Sequence, residues 1–123
     1  MNAPHHPRPA PTIAPLTDAG AWDAFVTASP EATPFHSRAW SEAVHAATGH
    51  RAHVLAAHDG AGHITGLLPL HHVKSPLFGQ ALVGSAFGVG GGILAKDEAS
   101  AAALAHAAVG LASQLGAPSI ELR

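Results

Sequence analysis

The chain has 123 residues, enough for one domain, and 47% of them are apolar against 11% charged. Six Lys+Arg against eight Asp+Glu leave a formal charge of −2, which argues against an extended surface for nucleic acid or anionic membrane. The absence of Cys excludes disulfides and thiolate metal sites, while the eleven His would make the chain markedly cationic below about pH 6.5.

Residues 1–11 hold four of the ten prolines and read as a disordered Pro/His-rich leader without the apolar core of a secretory signal. Thr12–Leu16 reads as a short first strand. Thr17 or Asp18 can cap a helix over Ala19–Ala28, with Trp22, Phe25 and Val26 on one face, and Ser29, Pro30 and Pro34 then interrupt the chain. Ser37 is the expected N-cap of a second helix with an apolar stripe of Trp40, Ala43, Val44 and Ala47, and Gly49 ends it in a left-handed conformation.

Arg51–His58 and His63–Lys74 read as a hairpin turning at Asp59-Gly60-Ala61-Gly62. Pro69 removes a ladder donor, which predicts a bulge or an edge at that point. A third strand is expected over Leu77–Ser85, followed by the glycine-rich loop Gly88-Val89-Gly90-Gly91-Gly92. Asp97 should cap the strongest helix, Glu98–Leu115, with Leu104, Ala108, Leu111 and Leu115 on one side. Gly116 and Pro118 stop it, and Ser119–Arg123 begins a last strand. The Ser, His, Gly and Gln within Ala99–Leu115 make it too weakly apolar to cross a membrane. The resulting order is β-α-α-β-β-β-α-β, an α/β (α+β) class with a mixed, mostly antiparallel sheet.

Several segments in this order carry a resemblance: Trp22-Asp23-Ala24-Phe25-Val26, Pro34-Phe35-His36-Ser37-Arg38-Ala39-Trp40 and Gly66-Leu67-Leu68-Pro69-Leu70, then Val73-Lys74-Ser75-Pro76-Leu77-Phe78-Gly79, Gly90-Gly91-Gly92 and Ile120-Glu121-Leu122-Arg123. Together, over residues 12–123, they resemble the FemAB-like, GNAT-related acyltransferases, in particular the branch associated with PEP-CTERM/exosortase systems. The resemblance implies the N-terminal half of a GNAT-like fold, truncated before the donor site. It also implies transfer of an acyl or aminoacyl group to an amine of a peptidoglycan precursor or an exopolysaccharide-linked acceptor. The donor would be acyl-CoA or aminoacyl-tRNA, met through regions outside this chain. The chain alone is then expected to be inactive and to bind no cofactor; the charge balance predicts no DNA binding, and the absence of Cys suits a cytoplasmic protein. Two other readings stay open: a standalone module that pairs its last strand with another chain, and an inactive gene fragment.

The candidate acceptor-side residues are His36, Trp40, Lys74, Ser75, Gly91 and Gly92. A glycine-rich loop before a helix can cradle phosphate through backbone N–H groups. Here Ile93-Leu94-Ala95-Lys96 and the acidic cap Asp97 intervene, so the loop reads as a structural turn or as one wall of an acceptor cleft. Lys74 could attract a phosphate or carboxylate; its plain alternative is a strand-end lysine in solvent. His36 could line a cleft at a helix start, whereas Phe35 and Trp40 suit a core. Adjacent strand residues point to opposite faces, so His71 and His72 cannot readily chelate one ion. His53, His63 and His71 could meet across the hairpin, but no carboxylate or Cys spacing supports a metal site.

Overall fold

The apolar run expected as the second hairpin strand becomes the spine of the molecule. In the computed structural model, which describes residues 10–77, 79–84 and 92–122, it spans Ile64–Ser75 (β3). It pairs antiparallel with Arg51–His58 (β2) on one side and with Gly79–Gly84 (β4) on the other. Thr12–Pro15 (β1) lies antiparallel beyond β2, and Ser119–Glu121 (β6) lies parallel beyond β4. A two-residue strand that the sequence does not announce, Leu94–Ala95 (β5), pairs with β3 at Gly66 and Leu67, in line with β4. With helices Ala19–Ala28 (α1), Arg38–Thr48 (α2) and Glu98–Leu115 (α3), the described residues form an α+β fold around a mixed six-stranded sheet.

Strand β3 is nearly continuously apolar because both faces of the sheet are covered. Side chains alternate along it, so Gly66, Leu68 and Leu70 face α3 while Leu67, Pro69, His71 and Val73 face α1 and α2. Leu104, Ala108 and Ala112 of α3 pack on Leu55, Ala57, Leu68, Leu70 and Leu82. Small residues let this helix sit low on the sheet. A Cβ at Gly66 would stand 2.7 Å from Cδ1 of Leu104, so the missing side chain makes room for that leucine. On the opposite face Trp22 and Phe25 cover Leu67 and Leu94, and Val44 packs on Val83 beside Trp40 and Val73. Each fully buried leucine contributes about 1.5–3 kcal/mol of transfer free energy.

The helix ends follow their expected chemistry. Asp18, Ser37 and Asp97 accept N-terminal N–H groups through their side chains, and Gly49 and Gly116 close α2 and α3 at φ 73° and 72°. The buried stripe of α2 differs from expectation. Val44 is buried and Trp40 half-buried, but Ala43 and Ala47 are exposed and Ser41 is buried instead. A helix only eleven residues long rests on a narrow line at positions 40, 41 and 44, and residues 43 and 47 fall off its side.

Pro69 sits inside the sheet without a bulge; the register shift in this hairpin falls at Ala57/His58. The Val54 carbonyl accepts from Leu16 N–H on the β1 side. Its partner Pro69 therefore points its own backbone away from β2. On that side β4 ends opposite Leu70 and β5 begins opposite Leu67. Among the described residues the missing donor therefore faces the interval between β4 and β5, a local edge within a central strand. The third strand starts at Gly79 (φ 84°), not Leu77, which is exposed in the preceding turn. Ser85, Arg123 and the leader up to residue 9 lie outside the described residues.

Candidate functional site

The parallel pair β4/β6 brings two strand ends together. At Gly84, the last residue of β4, a Cβ would lie 3.5 Å from the Glu121 carbonyl oxygen, 3.6 Å from Leu122 Cα and 3.7 Å from Gly92 Cα. Two backbone segments, Glu121–Leu122 and Gly92, thus converge on one buried glycine. An alanine would fill the space and a branched side chain would meet backbone.

His36 ties this junction to the amino end of α2. It ends a 3-10 turn over Pro34–His36, capped by Thr33. Its Nδ1 accepts the Thr33 N–H at 2.9 Å, so the proton sits on Nε2, which donates to the Gly92 carbonyl at 3.0 Å. Trp22 Nε1–H donates to the His36 carbonyl at 2.8 Å. Burial lowers the pKa of His36, and the contacts to Gly92 and Thr33 oppose that shift. The ring is therefore neutral at pH 7 with both nitrogens engaged, which makes it a positioning group rather than a proton acceptor. Trp40 packs nearby, edge-on to Phe35 with ring centroids 4.9 Å apart. His36, Trp40 and Gly92 are gathered in this region, while Gly91 and Gly88–Gly90 lie outside the described residues.

Lys74 and Ser75 lie at the other end. They pair with Gln80 and Gly79 at the amino end of β4, roughly 13–17 Å along the strand from Gly84. Ser75 Oγ accepts the Leu77 N–H at 3.3 Å and shapes the turn. Lys74 projects on the α3 face, beyond the point where that helix stops covering the sheet. With Arg51, His53, His72 and Gln114 it lines a cleft of about 540 Å³. His72 Nε2 meets Gln80 Oε1 at 2.8 Å, and the His53 and His72 ring centroids are 6.5 Å apart. Burial lowers the pKa of His53, and the charges of Arg51 and His72 lower it further.

Of this second group, the sequence offers Lys74 and Ser75 as acceptor-side residues and raises His53 and His72 only as metal ligands. The signal for the rest lies in strand parity: Arg51 opposes His72, and 51, 53, 72 and 74 share one face. The histidine trio 53, 63 and 71 does not assemble. His71 points to the α2 face, with Nε2 3.3 Å from the Ser41 carbonyl, and its pKa is lowered chiefly by burial. His63 is exposed beside Asp59 at 3.4 Å. Hydrogen bonds from the His63 and Ala61 N–H groups help hold the Asp59 carboxyl below its usual pKa, the His63 bond most strongly. Among the described residues no group of three or more His, Cys, Asp or Glu side chains could hold a metal ion, and no helix is long and apolar enough to cross a membrane. No family model, curated protein or solved structure matches the chain.

Proposed function

We propose that the chain forms the acceptor-side part of a FemAB-like, GNAT-related N-acyltransferase unit that delivers an acyl or aminoacyl group to an amine of a cell-envelope precursor. The observation that supports this reading most is the parallel pairing of β4 with β6 through α3. Ligands of sheets containing parallel strands collect outside the carboxyl ends of those strands. Here that end is built from backbone around Gly84 and Gly92, and neither glycine puts a side chain between the strand ends and a substrate. In the reaction the acceptor nitrogen attacks the donor carbonyl carbon, a C–N bond forms, and the thiol of CoA or the ribose hydroxyl of tRNA leaves. His36 holds the Gly92 wall in place and is too fully hydrogen-bonded to take the amine's proton.

Amide NMR tests the reading. The full chain is titrated with a lysine-bearing stem pentapeptide and, separately, with acetyl-CoA. Peptide-induced shifts concentrated at Gly84, Gly92 and Leu122 are expected. If neither ligand perturbs these residues, the reading is wrong.

A second reading rests on β6, which has one strand neighbour among the described residues and is followed by the exposed Leu122. A second copy adding a strand at this edge would make the mass measured by light scattering rise with concentration. A constant monomer mass would count against it.

A further inference from the structure

We propose that the cleft at the carboxyl end of α3 binds the phosphate group of a small phosphorylated molecule, gripped by Arg51 and Lys74 with His53 and His72 beside them. The proposal is independent of acyl transfer and uses the opposite end of β4.

The first argument is a census of cations. Four Lys and Arg are described. Arg38 is paired with Asp23 at 2.9 Å and Glu42 at 3.1 Å, and Lys96 lies over the Phe25 ring at 5.9 Å. The two left without a partner among the described residues, Arg51 and Lys74, line the same cleft. Among the described residues no carboxylate lines it. Arg51 opposes His72 across the β2–β3 ladder, and Lys74 is its diagonal neighbour, about 7–8 Å away at the backbone. Two unneutralised charges at that spacing repel each other, and a dianion between them removes the repulsion. A guanidinium fork with an ammonium beside it suits phosphate oxygens.

The second argument is polar satisfaction. His53 Nε2 is shielded from solvent and has no hydrogen-bond partner among the described residues. A buried polar atom left in this way costs about 1–3 kcal/mol. A half-turn of the ring exchanges Nε2 with Cε1 and Nδ1 with Cδ2, so the ring can offer a nitrogen to a ligand for the cost of a χ2 rotation. His72 already uses Nε2 on Gln80, which fixes its ring as one wall.

Size and charge select the ligand. A volume of about 540 Å³ exceeds what a lone phosphate fills and suits a phosphorylated small molecule. The overall charge of −2 disfavours a long polyanion, so the recognised group is local. The groups facing His53 are Arg51 from its own strand, His72 and Lys74 from β3, Gln114 from α3 and His50 from the preceding turn. All that carry charge are positive. A bound dianion therefore raises the pKa of His53, and binding strengthens as pH falls through the histidine range.

The test uses the full chain, with pyrophosphate as probe and succinate as the dicarboxylate control. NMR follows the imidazole resonances of His53 and His72 across the histidine range, and calorimetry gives the affinity. Pyrophosphate is expected to raise the His53 pKa and to bind more tightly at about pH 6 than at pH 8. Arg51→Ala and Lys74→Ala should each weaken it by about tenfold or more, and Arg38→Ala should not. Equal affinity in all three variants, succinate binding as tightly as pyrophosphate, or an unmoved His53 pKa would each overturn the proposal. Arg51 and Lys74 are exposed, so their variants keep the fold; the wild-type titration decides the question even without them.

Discussion

Two histidines, one at each end of the β3–β4 ladder, meet burial in opposite ways. His36 has a partner for each ring nitrogen, and both partners are backbone groups. His53 has a shielded Nε2 with none among the described residues, and cations around it. Both are held neutral mainly by desolvation. A satisfied buried imidazole is a structural fastener, whereas an unsatisfied one in a cationic setting is an incomplete site. The difference can be broken by one substitution applied to both. His36→Leu removes the partner of the half-buried Thr33 N–H and of the buried Gly92 carbonyl and should cost about 2–4 kcal/mol in urea unfolding. His53→Leu removes an orphan and adds apolar surface, so its effect should be near zero or stabilising. Equal losses would abolish the contrast.

A second test acts on the backbone junction. Gly84→Val would push a branched side chain against Gly92, Glu121 and Leu122 and should destabilise by about 1–3 kcal/mol. Gly84→Ala should be tolerated. The valine should also move the amide of Gly92 while leaving the His53 and His72 resonances unchanged, because the two ends are separated by most of β4.

The third test is pH. The folded-state pKa values of His36, His53 and His71 all lie below the ordinary value of 6.5. As pH falls below 6.5 the unfolded chain takes up protons before the folded one, so stability is full above that value and declines toward the lower folded values. Tm should therefore fall on acidification. Pyrophosphate should offset only the share that belongs to His53. A flat Tm between neutral and mildly acid pH would mean that none of the three is held neutral.

What was legible in the sequence follows the range of each interaction. The caps Asp18, Ser37 and Asp97 and the closing glycines 49 and 116 act within a few residues of themselves, and the structure uses all of them. The buried stripe of α2 departs from its sequence pattern because a short helix takes its line from what lies beneath it. Pro69 announces a bulge or an edge, and the edge is the one used: among the described residues its missing donor faces the interval between β4 and β5, and β5 consists of two residues. His36 and Gly92 are 56 positions apart, and nothing local relates them. Lys74 was visible as a charge closing an apolar strand, but its neighbours Arg51 and His53 come from register, which fixes what a strand's charges face.

Helix α3 joins the two ends, and its cap gives the smallest test. Asp97 accepts the Ser100 N–H at 2.7 Å, and Ser100 Oγ lies 2.7 Å from Thr65 Oγ1, so the first turn is anchored to β3 by a short polar chain. Asp97→Ala should cost about 1 kcal/mol. Where the loss appears is more informative than its size. The first turn has no apolar side chain longer than alanine before Leu104, so without the cap it should fray alone. Hydrogen exchange should quicken at Ser100 and Ala101 and stay slow near Gln114, where Ala108 and Ala112 hold the helix on the sheet. Pyrophosphate affinity should then be unchanged. If exchange quickened along the whole helix and affinity fell with it, the two ends would be one cooperative unit, and the fastener and the cleft could not be tuned separately.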